Sequence, residues 1–258
     1  MRRTGQATDT GRFIGLDGCR AGWFAAAIDA RGRHACGCFA SVDVMWQAYV
    51  KPAAVLIDIP IGLSSTGSAE RTVDGLARAL LKPRRQASIF TPPCREALSA
   101  GTYAEACRIN QRICGRKISI QTWHITAKIK EVDDFLQATP GARGILRETH
   151  PEICFWSLAG GKPLRYAKKS AEGRRERLSL LQAIYPSATE LYSDALARFT
   201  RRAVDRDDIL DALVNAVTAT RLNSSGLTLP ETPPRDRCGL PMEMVYLRPM
   251  PPRPRATV

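Results

Sequence analysis

Hydrophobic and polar positions alternate from the start of the chain. Residues 12–18 (Arg-Phe-Ile-Gly-Leu-Asp-Gly) read as a strand, and Cys19 to Gly22 turns it into a second, Trp23 to Asp29. Arg31-Gly32 supplies another turn, and His34 to Phe39 fits a third strand. Ser41 is placed to cap a short helix through Tyr49, with Val42, Met45, Trp46 and Tyr49 on one face. The run Ala53 to Pro60 is almost wholly apolar. So short a run suggests a strand buried on both faces and stopped by Pro60.

The pattern changes over 68–140, which reads as a largely helical insertion, rich in Arg and Lys and broken at Lys82-Pro83 and Thr91-Pro92-Pro93. A long helix starts at Ser119, with Ile125, Ile129, Val132 and Leu136 as its apolar stripe. A short strand near Gly144–Thr149 follows, then helices near 151–158, 170–184, 190–201 and 205–222. No internal repeat is visible. A three-strand antiparallel meander, a helix, a buried strand, another strand and late helices predict a mixed α/β sheet covered by helices. The expected organisation is one domain over 12–248, with disordered tails at 1–11 and at the Pro/Arg-rich 249–258.

Composition narrows the function classes. Hydrophobic content of 44% and charged content of 24% are ordinary for a globular enzyme. The net charge is not: 38 Lys+Arg against 25 Asp+Glu gives +13, a field that concentrates polyanions. No stretch of about 18 uncharged apolar residues exists to span a membrane. Met1-Arg2-Arg3 is followed by polar residues rather than an export signal, so a cytoplasmic protein is expected. The eight cysteines form no Cys-x-x-Cys pair, and the three histidines lie at no zinc-finger spacing from them; reduced, packed thiols are expected.

The chemistry-bearing residues are acidic. Asp17 ends the first strand, Asp58 sits in the most apolar one, and Asp208 and Asp211 are three apart on one face of a helix. Four such carboxylates brought together repel, by about 4 kcal/mol per pair at 4 Å and an effective dielectric near 20. They persist only with cations, protons or basic partners, and oxygen-only ligands suit Mg²⁺ or Mn²⁺. Plain roles stay open: Asp17 in a turn, Asp58 as a strand end in a solvated cleft. Asp208, Asp211, Asn215 and Thr218 would then be the wet face of a helix whose core face is Ile209, Leu213, Val214 and Val217.

Several ordered motifs resemble the DUF429 family, a group of predicted nucleases with a ribonuclease H-like fold. They are Gly15-Leu16-Asp17-Gly18-Cys19-Arg20-Ala21-Gly22-Trp23 and Ile57-Asp58-Ile59-Pro60-Ile61-Gly62-Leu63. Next come Arg71, Asp74, Ala77, Arg78 and the stretch Arg84 to Phe90, then Ser119, Gln121, Trp123, Lys128, Glu131, Val132 and Asp133. Glu148 to Glu152, Lys168-Lys169 and Asp207 to Ala212 complete the match, which runs from about Phe13 to Leu247. The resemblance implies a ribonuclease H-like core with acids on the first strand, on a central strand and on a late helix. It departs from the family where related proteins carry His before the helix acid and this chain has Asp207.

The expected activity is a Mg²⁺/Mn²⁺-dependent nuclease working by a two-metal carboxylate mechanism. Asp17, Asp58 and Asp208 would bridge the metals, with Asp211 or Glu148 as a supporting ligand or base. Arg20, Arg84, Arg85, Lys128, Lys168, Lys169 and Arg174 are the expected nucleic-acid contacts, with Arg175 and Arg177 as further phosphate binders. Trp123 suits a core role better than base stacking. His150-Pro151-Glu152 reads as an ordinary helix start. One rival reading is a nucleic-acid-binding protein that keeps the fold without turnover. Another is an ATP-handling protein, disfavoured because that plan needs two copies of the core.

Overall fold

A computed structural model of the chain describes residues 11–65 and 70–250. The strands are β1 (Phe13–Cys19), β2 (Gly22–Ile28), β3 (His34–Phe39), β4 (Ala54–Ile57), β5 (Leu146–Glu148), β6 (Gly226–Leu229) and β7 (Met244–Leu247). The helices are α1 (Val42–Ala48), α2 (Thr72–Leu80), α3 (Tyr103–Cys114), α4 (Ile120–Ala138), α5 (Pro151–Leu158), α6 (Ala171–Gln182), α7 (Ala188–Arg198), α8 (Arg206–Ala219) and α9 (Leu222–Ser225). The main sheet has the order β3-β2-β1-β4-β5. Its first three strands form the antiparallel meander, and β4 and β5 add in parallel. Helices cover both faces. This is a mixed α/β architecture consistent with a ribonuclease H-like fold.

Strand alternation divides the core in two. Ile14 and Leu16 of β1, Trp23 and Ala25 of β2, and Val55 and Ile57 of β4 pack against Met45 of α1 and Ile129, Val132 and Leu136 of α4. On the other face, Phe24, Ala26 and Ile28 pack against Phe155 of α5, Leu191 of α7, and Leu213 and Val217 of α8. Helix α8 crosses the sheet at Gly15 because no side chain stands there. A Cβ on Gly15 would lie 2.0 Å from the Ala212 carbonyl oxygen and 2.2 Å from the Ala216 amide nitrogen.

Local sequence explains the helix starts. Ser41 accepts the Val44 amide and Ser119 accepts the Thr122 amide, each at an N-cap. Asp205 caps α8, and Asp208 at its third position accepts the Asp205 amide in return, at 2.9 Å.

Several expectations are corrected here. Asp211, Asn215 and Thr218 are not a wet face: all three are buried, because α8 is covered by the sheet on one side and by α5–α7 on the others. Asp58 lies one residue beyond the end of β4 rather than inside it. The β6–β7 hairpin, closed over residues 230–243, was not expected at all. The insertion after β4 is helical as expected, holding α2, α3 and α4, although its residues 68–69 lie outside the described ones. So do most of the expected tails. Pro249 and Met250 are described, and the Met250 amide donates to the Ser157 carbonyl oxygen at 3.0 Å. Among the described residues, no helix is long and apolar enough to cross a membrane.

Candidate metal centre and its cleft

In the parallel pairing of β1 and β4, Leu16 lies opposite Ile57. The next residue on each side is an aspartate: Asp17, inside β1 rather than at its end as expected, and Asp58, the first residue past β4, leave neighbouring strands on the same side, the side facing α8. Helix α8 supplies the third acid, Asp211, one turn before the Gly15 crossing. The Leu16 carbonyl oxygen accepts both the Asp58 amide (3.2 Å) and the Asn215 side-chain amide (3.1 Å). One backbone atom thus ties together the three elements that carry the acids. Carboxylate oxygens of Asp17, Asp58 and Asp211 all lie within 4.8 Å of one another.

This cluster is crowded and largely buried. Asp17 is 8% and Asp211 3% exposed, while Asp58 is partly buried. Burial raises the Asp17 carboxyl well above its ordinary value, and Asp211 and Asp58 raise it further against the pull of Lys168. Asp58 is raised by burial, opposed by His150 and Lys168. Burial pushes Asp211 up to about 6 despite its ion pair with Lys168. Such a set calls for a cation. Three hard oxygen donors at this separation fit one divalent ion of the Mg²⁺ or Mn²⁺ type.

The other expected acids lie close by but are engaged elsewhere. Asp208 belongs to the capping box of α8. Its carboxyl is raised by burial, opposed by the Asp205 amide. Glu148 pairs with Ile57 across β4–β5, so alternation sends its side chain to the α4 face, opposite Asp58. There its oxygens accept two hydrogen bonds from the buried Arg71, at 2.7 and 2.8 Å, and one from the Ile61 amide at 2.6 Å. Burial lifts Glu148 to about 7, while Arg71 and the Ile61 amide pull it down. Arg71 also grips Asp74 at 2.7 Å. Burial alone would lower the Arg71 guanidinium; Asp74 and Glu148 outweigh it and hold it above its ordinary value.

The three clustered acids line a cleft of about 610 Å³. Arg84, Arg85, Lys128 and Lys168 line it too, with His124, His150 and the exposed Phe90. Of the expected nucleic-acid contacts, Arg84 is exposed there, while Arg85 donates to the Tyr166 carbonyl and approaches Glu152 at 3.9 Å. The Lys128 ammonium donates to the Gly22 carbonyl (2.6 Å) and stands 4.3 Å from the Trp23 ring centroid. Arg20, Lys169 and Arg174 lie outside the cleft lining. Arg20 donates to the Arg201 carbonyl, and Arg174 to that of Lys169. Arg177 cannot meet a phosphate: it is fully buried and paired with Glu152. Trp123 packs against Tyr103, with ring centroids 6.2 Å apart.

One participant carries no signal in the sequence, and another has a partner the sequence does not indicate. Glu152 raises both Asp58 and Asp211 electrostatically, yet its motif reads as a plain helix start. Lys168 is expected as a phosphate contact, but its ammonium pairs with Asp211 and is attracted by Asp17 and Asp58. It sits in the connection between α5 and α6, where no periodic pattern predicts a partner.

Fold and site together define a mixed α/β protein, its sheet consistent with a ribonuclease H-like fold, with a largely buried carboxylate cluster that could hold a metal ion. A family model described as a protein of unknown function, DUF429, matches residues 15–235, and the chain belongs to that family. No curated protein and no solved structure matches the chain.

Proposed function

We propose that this protein is a divalent-metal-dependent nuclease, hydrolysing phosphodiester bonds of DNA or RNA in the cytoplasm. The observation that carries the reading is the convergence of Asp17, Asp58 and Asp211 in a cleft that Arg84, Arg85 and Lys128 also line. A bound Mg²⁺ or Mn²⁺ would supply Lewis acidity toward a phosphoryl oxygen and a lowered pKa for water. Asp17, Asp58 and Asp211 would hold that ion. Arg84 and Arg85 would bind strand phosphates, which position a substrate without reading its sequence. Arg71 would hold Glu148 and Asp74 in place at the cleft wall, as a positioning residue. The net charge of +13 would speed the approach of a polyanion.

The test is cleavage of labelled single- and double-stranded DNA and RNA, hybrids and branched junctions with Mg²⁺, Mn²⁺ or chelator. Products should require the metal and fall by about 10²-fold or more in Asp58→Asn, the scale on which a lost electrostatic contributor acts. Equal cleavage by Asp58→Asn would sink the assignment. Salt-sensitive binding without products would instead identify a non-catalytic nucleic-acid-binding protein.

A further inference from the structure

The charge around the cluster does not match a site built for two ions. Six carboxylates lie in or beside it, and three are already committed. Asp208 accepts the Asp205 amide in the capping box, Glu148 is held by Arg71, and Glu152 is held by the fully buried Arg177. Asp17, Asp58 and Asp211 remain, and the Lys168 ammonium is directly paired with Asp211. Within the ligand set, three negative charges therefore face one fixed positive charge, and Asp208 adds its charge from outside that set. A single divalent ion would neutralise the set. Two would leave a positive excess among largely buried side chains, where uncompensated charge is costly.

We propose that Lys168 is a built-in second cation of this cage, so that Asp17, Asp58 and Asp211 take one divalent ion rather than two. This rests on the metal-centre reading above and departs from the two-metal expectation drawn from sequence. Lys168 acts here as a positioning residue. It holds the Asp211 carboxylate and occupies the charge that a second ion would otherwise supply. A lysine on a connecting segment suits this part, since its long stem carries the ammonium inward while the residue itself stays partly exposed.

The measurement is Mn²⁺ stoichiometry on the full chain, from calorimetric titration and the electron-paramagnetic signal of free Mn²⁺. The natural protein should bind one Mn²⁺ per chain, Lys168→Ala two, and Lys168→Arg one. Lys168→Gln repeats the neutral substitution with length retained, and circular dichroism confirms that each variant is folded. Two ions in the natural protein, or an unchanged single ion in both neutral variants, would overturn the lysine's role while leaving a metal centre. No Mn²⁺ bound by any of the four proteins would remove the metal centre itself, and this proposal with it.

Discussion

A carboxyl group buried beside two others binds a proton more tightly in the folded chain than in the unfolded one, and this makes stability depend on pH. Asp211 is raised from 3.8 to about 6, with burial the leading cause, and Asp17 and Asp58 move the same way. Between those two values the folded state holds more protons than the unfolded state, so stability falls as pH rises through the window and is flat above it. At about 1.4 kcal/mol per pH unit, the Asp211 share is on the order of 3 kcal/mol. With chelator present, the natural protein should therefore lose more stability between pH 4 and pH 6 than Asp211→Asn does, by urea denaturation. Adding Mn²⁺ favours the ionised carboxylates and should shrink or invert the loss. Identical pH profiles for the two proteins would show that Asp211 is not buried among like charges. Arg71 works by the opposite logic: it lies between Asp74 and Glu148, so that pair of acids needs no metal.

Among the elements, the position of α8 decides whether the acids meet at all. The helix lies directly on β1 because Gly15 has no side chain, and Asn215 fastens it to the Leu16 carbonyl. Gly15→Ala brings a methyl group against helix backbone, which has no flexible end to move aside. Overpacking of this kind costs about 1–3 kcal/mol, and it should carry Asp211 away from Asp17. Gly15→Ala is therefore expected to remain folded with a lowered urea midpoint and to bind Mn²⁺ at least tenfold more weakly. Mn²⁺ binding at natural strength would mean that α8 does not have to touch β1 for the site to form. Much of this geometry was legible beforehand. The meander, the apolar β4 and the capped α8 follow from alternation, glycine turns and Asp205. What the pattern could not reveal was register and orientation. Glu148 looks equivalent to Asp58 until its pairing with Ile57 puts it on the opposite face. Asp208 looks equivalent to Asp211 until the capping box claims it. The β6–β7 hairpin escaped notice because its strands are four residues each and lie either side of the proline-containing 230–243 segment.

For the whole molecule, the excess positive charge matters only where it faces a ligand. Not every basic residue does: Arg71 and Arg177 are buried and serve internal carboxylates, and Arg95 joins Asp133 to Asp236. A count of lysines and arginines therefore overstates the surface available to a polyanion. Arg84 is different, since it is exposed and lines the same cleft as the three clustered acids. Each phosphate neutralised releases counterions, so the logarithm of affinity falls with the logarithm of salt concentration by about 0.7–0.9 per contact. If nucleic acid occupies the cleft, Arg84→Ala should reduce that slope by about one contact, 0.7–0.9, across unrelated sequences. Arg175→Ala supplies the control, since Arg175, a phosphate binder by expectation, pairs with Glu172 away from the cleft. It removes an equal charge from an exposed helix position outside the cleft lining and should leave the slope unchanged. Fluorescence anisotropy of a labelled oligonucleotide over a range of KCl reads both. A slope that falls equally in the two variants would mean that the polyanion responds to overall charge, with no preference for the cleft that holds the acids.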